Sequence, residues 1–320
     1  KFTPDFVWIK ERSSGSSHNI ADVIRGSTCY ISSNLPNQEN CLTSTISSFN
    51  SNGFTVGNDG AVNESAQDYV AWSWKAGGSS NTFNKNGTGY GTASAAGLTG
   101  ESNITIQGSS VNTESGISII KTLTGPSTGM IIPHGLGTQP ELIISKPLNT
   151  SLSWYTWTPI LNNGSTSSNT GWSGLFLDTT AAASSSAYVY ASNTHIYDSW
   201  AVGRLMVYYS FISVAGYSKI GSYVGTGATG NTIVTGFEPA FLMTKRTDVA
   251  GYNWYMWDNK RSPSNPRDEV LQADTSSAEV DYSAYPHDFN SNGFTIDTNN
   301  TAFNGSGATY IFMAFAADPT

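Results

Sequence analysis

Charge is scarce in this chain. Only 12% of its 320 residues are Asp, Glu, Lys or Arg, and acidic groups prevail to a net charge of -8. Without a basic stripe to neutralise phosphates, nucleic-acid binding is disfavoured. So little charge also argues against charged helical heptads, while an aromatic content of 12% argues against disorder. No apolar run reaches the length of a membrane-spanning helix, so no membrane insertion is expected. A basic-then-apolar leader is also missing, although Lys1 is compatible with a start downstream of one.

Catalytic signatures are equally scarce. The sequence holds no Gly-x-Ser-x-Gly elbow, His-Glu-x-x-His pair or phosphate-binding Gly-x-x-x-x-Gly-Lys loop. Asp59-Gly60 lacks the alternating acidic ligands of a calcium loop. Only two cysteines are present, Cys29 and Cys41, flanking a loop with Asn34, Pro36 and Asn37. Two readings stand: unrelated thiols, or a local disulfide formed in an oxidising setting. Zinc is rejected, because no His or Cys pair lies nearby at finger spacing. No cofactor is expected.

What the chain does have is repetition. Phe49-Asn50-Ser51-Asn52-Gly53-Phe54 returns as Phe289-Asn290-Ser291-Asn292-Gly293-Phe294, 240 positions later. Upstream, Pro4 to Lys10 aligns with Pro140 to Lys146 and Pro239 to Lys245. Downstream, Tyr69 to Trp74 matches Tyr310 to Phe315, with Met206 to Phe211 between them. From opening Pro to closing aromatic the spacings are 70, 71 and 76 residues, which predicts three related modules. A lead-in segment, Ser118 to Gly125 or Lys219 to Gly225, precedes the second and third copies only. A strand for the first copy would have to come from upstream sequence or a neighbouring subunit.

Short aromatic and branched runs predict buried strands, and Asn-Gly between aromatics predicts hairpin turns. In Tyr310 to Phe315 alternation puts Tyr310, Phe312 and Ala314 on one face and Ile311, Met313 and Phe315 on the other, so both faces can be covered. The expected fold is all-β, with tandem β-sandwich (jelly-roll-like) modules built from three repeats. Module 1 spans 1–76, module 2 (divergent) 116–213 and module 3 214–320. Residues 77–115 read as a Gly/Ser/Asn-rich linker with some β structure. A short helical turn is expected near Ser264 to Leu271.

The first and third copies also share polar residues. Asp22 and Arg25 match Asp258 and Arg261, and Glu39 lies eight after Ile31 as Glu279 lies eight after Leu271. Paired carboxylates could serve a glycosidase as acid and base. A structural polar cluster is the better reading: Asp and Arg three apart clamp a turn, and an enzyme seldom needs its acid twice. The middle copy keeps Trp154-Tyr155-Thr156-Trp157 against Trp254-Tyr255-Met256-Trp257 but has Thr158 in place of Asp258. Its loop from Asn162 to Trp172 suggests glycan binding by Trp172, Trp157, Asn162 and Asn163, with Trp172 exposed to stack on a sugar. The competing reading is a loop packed by its own tryptophan.

Pro-Asp-Phe-Val-Trp-Ile-Lys, Asp-x-x-Arg-Gly, Ser-Asn-Gly-Phe, Tyr-Val-Ala-Trp-x-Trp-Lys and Gly-Tyr-Ser-Lys-Ile-Gly-Ser-Tyr together resemble a repeat domain of unknown function. That domain is found in structural and tail-associated proteins of marine bacteriophages. The match runs from Pro4 to Pro319 and is weakest in the middle copy. The resemblance implies a non-enzymatic component of a virion appendage, a tail fibre or surface decoration at the virion surface or outside the cell. Its implied partners are further copies of itself, other virion or fibre proteins, and host surface polysaccharide. Alternatives are a secreted carbohydrate-binding adhesin, a surface-filament subunit and a β-sandwich glycoside hydrolase or lyase.

Overall fold

A computed structural model describes residues 2–162, 171–185 and 188–317, and nearly every element is a strand. The first set comprises β1 (Phe6–Glu11), β2 (Asn19–Asp22), β3 (Cys29–Tyr30), β4 (Asn40–Cys41), β5 (Ile46–Asn50), β6 (Gly53–Val56) and β7 (Tyr69–Trp74). They pair as β7-β1-β2, extended to β3-β4 through an Ile20–Ile31 bridge, with β5-β6 as a separate hairpin.

The second set holds β8 (Phe83–Lys85), β9 (Thr88–Tyr90), β10 (Ile104–Asn112), β11 (Ile117–Thr124), β12 (Met130–Pro133), β13 (Leu142–Pro147) and β14 (Tyr155–Thr158). It continues with β15 (Ser173–Phe176), β16 (Ser184–Ser185), β17 (Val189–Ala191), β18 (His195–Asp198) and β19 (Leu205–Phe211). Its large sheet runs β16-β15-β14-β13-β19-β11-β10-β8-β9 and its small sheet β12-β18-β17.

The third set contains β20 (Ser218–Val224), β21 (Asn231–Val234), β22 (Pro239–Arg246), β23 (Trp254–Asp258), β24 (Glu269–Gln272), β25 (Val280–Asp281), β26 (His287–Asn290), β27 (Gly293–Ile296) and β28 (Thr309–Ala316). Its sheets run β20-β28-β22-β23-β24-β25 and β21-β27-β26. The order β11-β19-β13-β14-β15-β16 is the same arrangement, and so is β7-β1-β2-β3-β4 with its first member missing.

Alternation explains how the sets pack. In β28, Tyr310, Phe312 and Ala314 face the small sheet, where they meet Phe289, Phe294 and Ile296. Ile311, Met313 and Phe315 face the opposite way, into a core shared with Trp72 and Trp74 of the first set and Val207, Tyr209 and Phe211 of the second. Each large sheet is therefore a sandwich layer on one face and a wall of the common core on the other, as strands apolar on both faces require.

Three local expectations change or gain detail. Residues 77–115 contribute more than a linker: β10 pairs with β11 and β8 runs parallel to β10, so three strands widen the second large sheet. The helical turn near Ser264 to Leu271 is replaced at its end by β24, because Met256 pairs with Leu271. Both hexapeptides form hairpins around Ser51-Asn52 and Ser291-Asn292, with Phe49 opposite Phe54 and Phe289 opposite Phe294. A β-carbon on Gly293 would lie 2.0 Å from the Ile233 carbonyl oxygen of β21, so close strand approach demands glycine there.

Candidate functional site

The shared polar residues converge on two buried clusters of near-identical geometry. Asp22 Oδ1 accepts from the Ile24 and Arg25 amides at 2.9 Å each, and its Oδ2 meets Arg25 Nε at 2.5 Å. Asp258 Oδ1 accepts from the Lys260 and Arg261 amides at 2.9 Å each, and its Oδ2 meets Arg261 Nε at 2.6 Å. Arg25 continues to the Ile20 carbonyl at 2.9 Å and to Glu39 at 3.3 Å; Arg261 continues to the Met256 carbonyl at 2.9 Å and to Glu279 at 2.7 Å. Arg12 of the first set clasps Glu279 from the other side, Nη2 to Oε1 at 2.6 Å.

Each cluster also receives a donor from a different set of strands. Tyr209 donates to Asp22 Oδ2 at 2.6 Å and Trp72 donates to Asp258 Oδ2 at 3.1 Å. Tyr209, Trp72 and Met313 hold the same position in β19, β7 and β28. Met313, which has no hydrogen to donate, lines one small cavity together with Thr158, the counterpart of Asp22 and Asp258. A buried carboxylate there would lack a cross-set donor, and the second set has the uncharged Thr158 at that position. At the positions of Arg and Glu the second set has Leu161 and Ala183, which pack against the common core.

This environment opposes acid–base chemistry. Burial alone would raise the Asp258 pKa, but the charge and hydrogen bonds of Arg261 outweigh it and hold the carboxyl below its usual range. Glu279 is likewise held low, burial being overcome by hydrogen bonds from Arg12 and Arg261. A general acid needs the opposite shift. Both clusters can brace, and Asp258 and Glu279 are poorly disposed to donate protons.

The set boundaries carry a second, cyclic feature that residue identity conceals. His18 Nε2 hydrogen-bonds the Gln272 carbonyl at 3.0 Å, Trp154 Nε1 donates to the Ser32 carbonyl at 2.8 Å, and Trp254 Nε1 donates to the Phe176 carbonyl at 2.9 Å. Donors and acceptors each occupy matching strand positions, so the first set bonds the third, the second bonds the first and the third bonds the second. Trp8 Nε1 donates to His18 Nδ1 at 2.8 Å, which makes Nε2 the protonated nitrogen. The Glu39, Ala183 and Glu279 amides repeat the cycle in reverse, donating to Leu148, Thr247 and Arg12 carbonyls at 2.9, 2.8 and 2.8 Å.

Lys10, Lys146 and Lys245 stand at one further matching position, all fully buried. Each donates to the carbonyl of the following residue, and burial pulls each pKa down to about 8 against the pull of nearby carboxylates. In the sequence the cycle leaves a single, unread trace, the position of His18 relative to Lys10, which matches that of Trp154 and Trp254 only once the strand registers are known. Its backbone acceptors left none.

The expected sugar-stacking ring is not exposed. Trp172 is 0% exposed and Trp157 3%, both within the core between the second set's two sheets. The Trp172 amide donates to the Val189 carbonyl, tying it to the small sheet, and Trp157 sits so close beneath Gly174 that a β-carbon there would clash. Asn162 ends a 3-10 turn, Pro159–Asn162, and its side chain, like all of Asn163, lies outside the described residues. Cys29 and Cys41 face each other on β3 and β4 and their sulfurs are bonded at 2.04 Å. Glu39 lies near them, but with both sulfurs bonded to each other the trio offers no thiolate to a metal.

Among the described residues a concavity of about 930 Å³ runs along β7 and is walled by Phe2, Trp72, Trp74, Tyr217, Phe241 and Phe315. The architecture is thus that of an all-β protein of layered sheets, with the Asp22–Arg25 and Asp258–Arg261 pairs buried at internal seams. A family model described as a domain of unknown function, DUF7483, matches residues 1–319, and the chain belongs to that family. No curated protein and no solved structure matches it.

Proposed function

We propose that this chain is a non-enzymatic structural component of a bacteriophage virion appendage, a tail-fibre, tail-associated or surface-decoration protein built from three copies of one repeat. The observation that carries the reading is the double Asp–Arg–Glu brace. Of the carboxylates that recur in the chain, Asp22 and Asp258 are buried and Glu39 and Glu279 half-buried; all are ion-paired and lie at seams between strand sets, where they brace the fold. The resemblance to phage tail-associated repeats, the low charge and the cyclic seams support it further. Contact with host polysaccharide, if it belongs to this protein, then falls to surfaces other than Trp157 and Trp172.

The test is direct. Purified virions of a phage encoding the chain are analysed by mass spectrometry and immunogold electron microscopy. Stoichiometric recovery with label on an appendage supports the proposal. Recovery only from the soluble lysate, with particles unlabelled, overturns it.

A further inference from the structure

The first set lacks counterparts of two strands, and the structure keeps the room for both. In the third set β20 lies against β28 and β21 against β27; in the second, β11 lies against β19 and β12 against β18. In the first set β7 and β6 have no such neighbours among the described residues. Arg12 and Asp5 amides donate to the Asp68 and Trp74 carbonyls, so even-numbered positions of β7 point toward β1. By antiparallel alternation the amides and carbonyls of Ala71 and Ser73 point the other way, into the 930 Å³ groove.

The small hairpin shows the same vacancy. Phe49, Phe54 and Val56 are only half-buried, whereas Phe289, Phe294 and Ile296, covered by β21, are at most 2% exposed. Gly293 is glycine where β21 approaches to 2.0 Å, and its counterpart Gly53 has nothing within 4 Å. The first set keeps the fittings for a strand pair that the described residues do not supply.

We propose that an extended segment outside the described residues, patterned like residues 218–234, completes the first set by strand addition along β7 and β6. The occupant's chemistry is read from its counterparts: it runs antiparallel to β7 and places a branched aliphatic opposite Trp72, where Ile119 faces Tyr209 and Ile220 faces Met313. A second copy of this chain is the weaker occupant, because both of its own lead-in pairs are already engaged. The inference stands independently of the virion reading.

The test uses the purified chain and a synthetic peptide of residues 218–234, followed by calorimetry and by hydrogen exchange. The peptide is expected to bind saturably and to slow exchange at Ala71 and Ser73. Ala71→Pro, which removes a groove-facing donor, and Gly53→Ala, which fills the approach to β6, should each weaken binding by about tenfold or more. A peptide carrying Ile220→Asp should not bind. No binding overturns the proposal; so does binding that ignores both Ala71→Pro and Gly53→Ala, which would mean exchange into the third set. Dimerisation of the purified chain through β7, abolished by Ala71→Pro, also overturns it.

Discussion

Removing the Arg25 side chain should cost far more than removing the whole brace. Arg25 is 6% exposed and binds the Asp22 carboxylate, the Glu39 carboxylate and the Ile20 and Cys29 carbonyls. Arg25→Leu keeps the bulk but leaves Asp22, which is 0% exposed, as an uncompensated buried charge. Losing one partner of a buried pair costs about 3–5 kcal/mol. The second set shows the apolar alternative already assembled: Thr158, Leu161 and Ala183 opposite Met313. Asp22→Thr, Arg25→Leu and Glu39→Ala combined with Tyr209→Met therefore reproduces a seam this chain already uses and should lie within about 2 kcal/mol of the parent. Equilibrium denaturation in guanidinium measures both. A loss below about 1 kcal/mol for Arg25→Leu, or a quadruple variant as unstable as the sum of its parts, would refute the argument that the four positions act as one unit.

Further outcomes follow from the same packing. Stability should fall as pH drops from about 6.5 toward 4, because burial holds folded His18 near 3 and His134 and His287 near 4, so the unfolded chain takes up protons first. Asp274, raised to about 6 by burial, offsets part of this, and denaturation midpoints across that range check the slope. Between about pH 8 and 10 stability should rise: folded Lys10, Lys146 and Lys245 release protons near 8 while unfolded lysine holds its own to 10.5. Buried Tyr208, Tyr209 and Tyr223, held well above 10, should reverse the trend beyond it. Reducing the Cys29–Cys41 bond should lower stability by about 2–4 kcal/mol, read from melts with and without reductant. Trp172→Ala should cost about 3–5 kcal/mol through the cavity it opens, measured by denaturation.

Much of this was visible in the residues, and the failures share a cause. The alternation in Tyr310 to Phe315 identifies a strand covered on both faces, and the two hexapeptides identify two hairpins, because both signals are local. Trp172 misleads because composition describes its neighbours in sequence, whereas its burial depends on β17 closing over it from residue 189 onward. Residues 77–115 look like a linker for the same reason: Ile104–Asn112 becomes a strand by pairing with β11, while Phe83–Lys85 has few apolar residues of its own. The cyclic seams are hidden more deeply. His18 looks unrelated to the aligned Trp154 and Trp254, and two different ring sizes fit because Trp8 fills the space that Ile144 and Met243 leave to a tryptophan. The absence of Asp, Arg and Glu from the second set is plain in the residues; what accompanies it, Met313 where the other sets present a donor, shows only when distant strands are juxtaposed.

The most direct measurement of the central claim, that the first set is an open version of the other two, is residue-resolved hydrogen exchange on the purified chain. Phe312 and Ala314, which face β20, should be strongly protected, as should Trp72 and Trp74, which face β1; Ala71 and Ser73 should exchange close to the rate of unpaired amides. Uniform protection along β7 in the isolated chain, matching that of β28, would contradict the account.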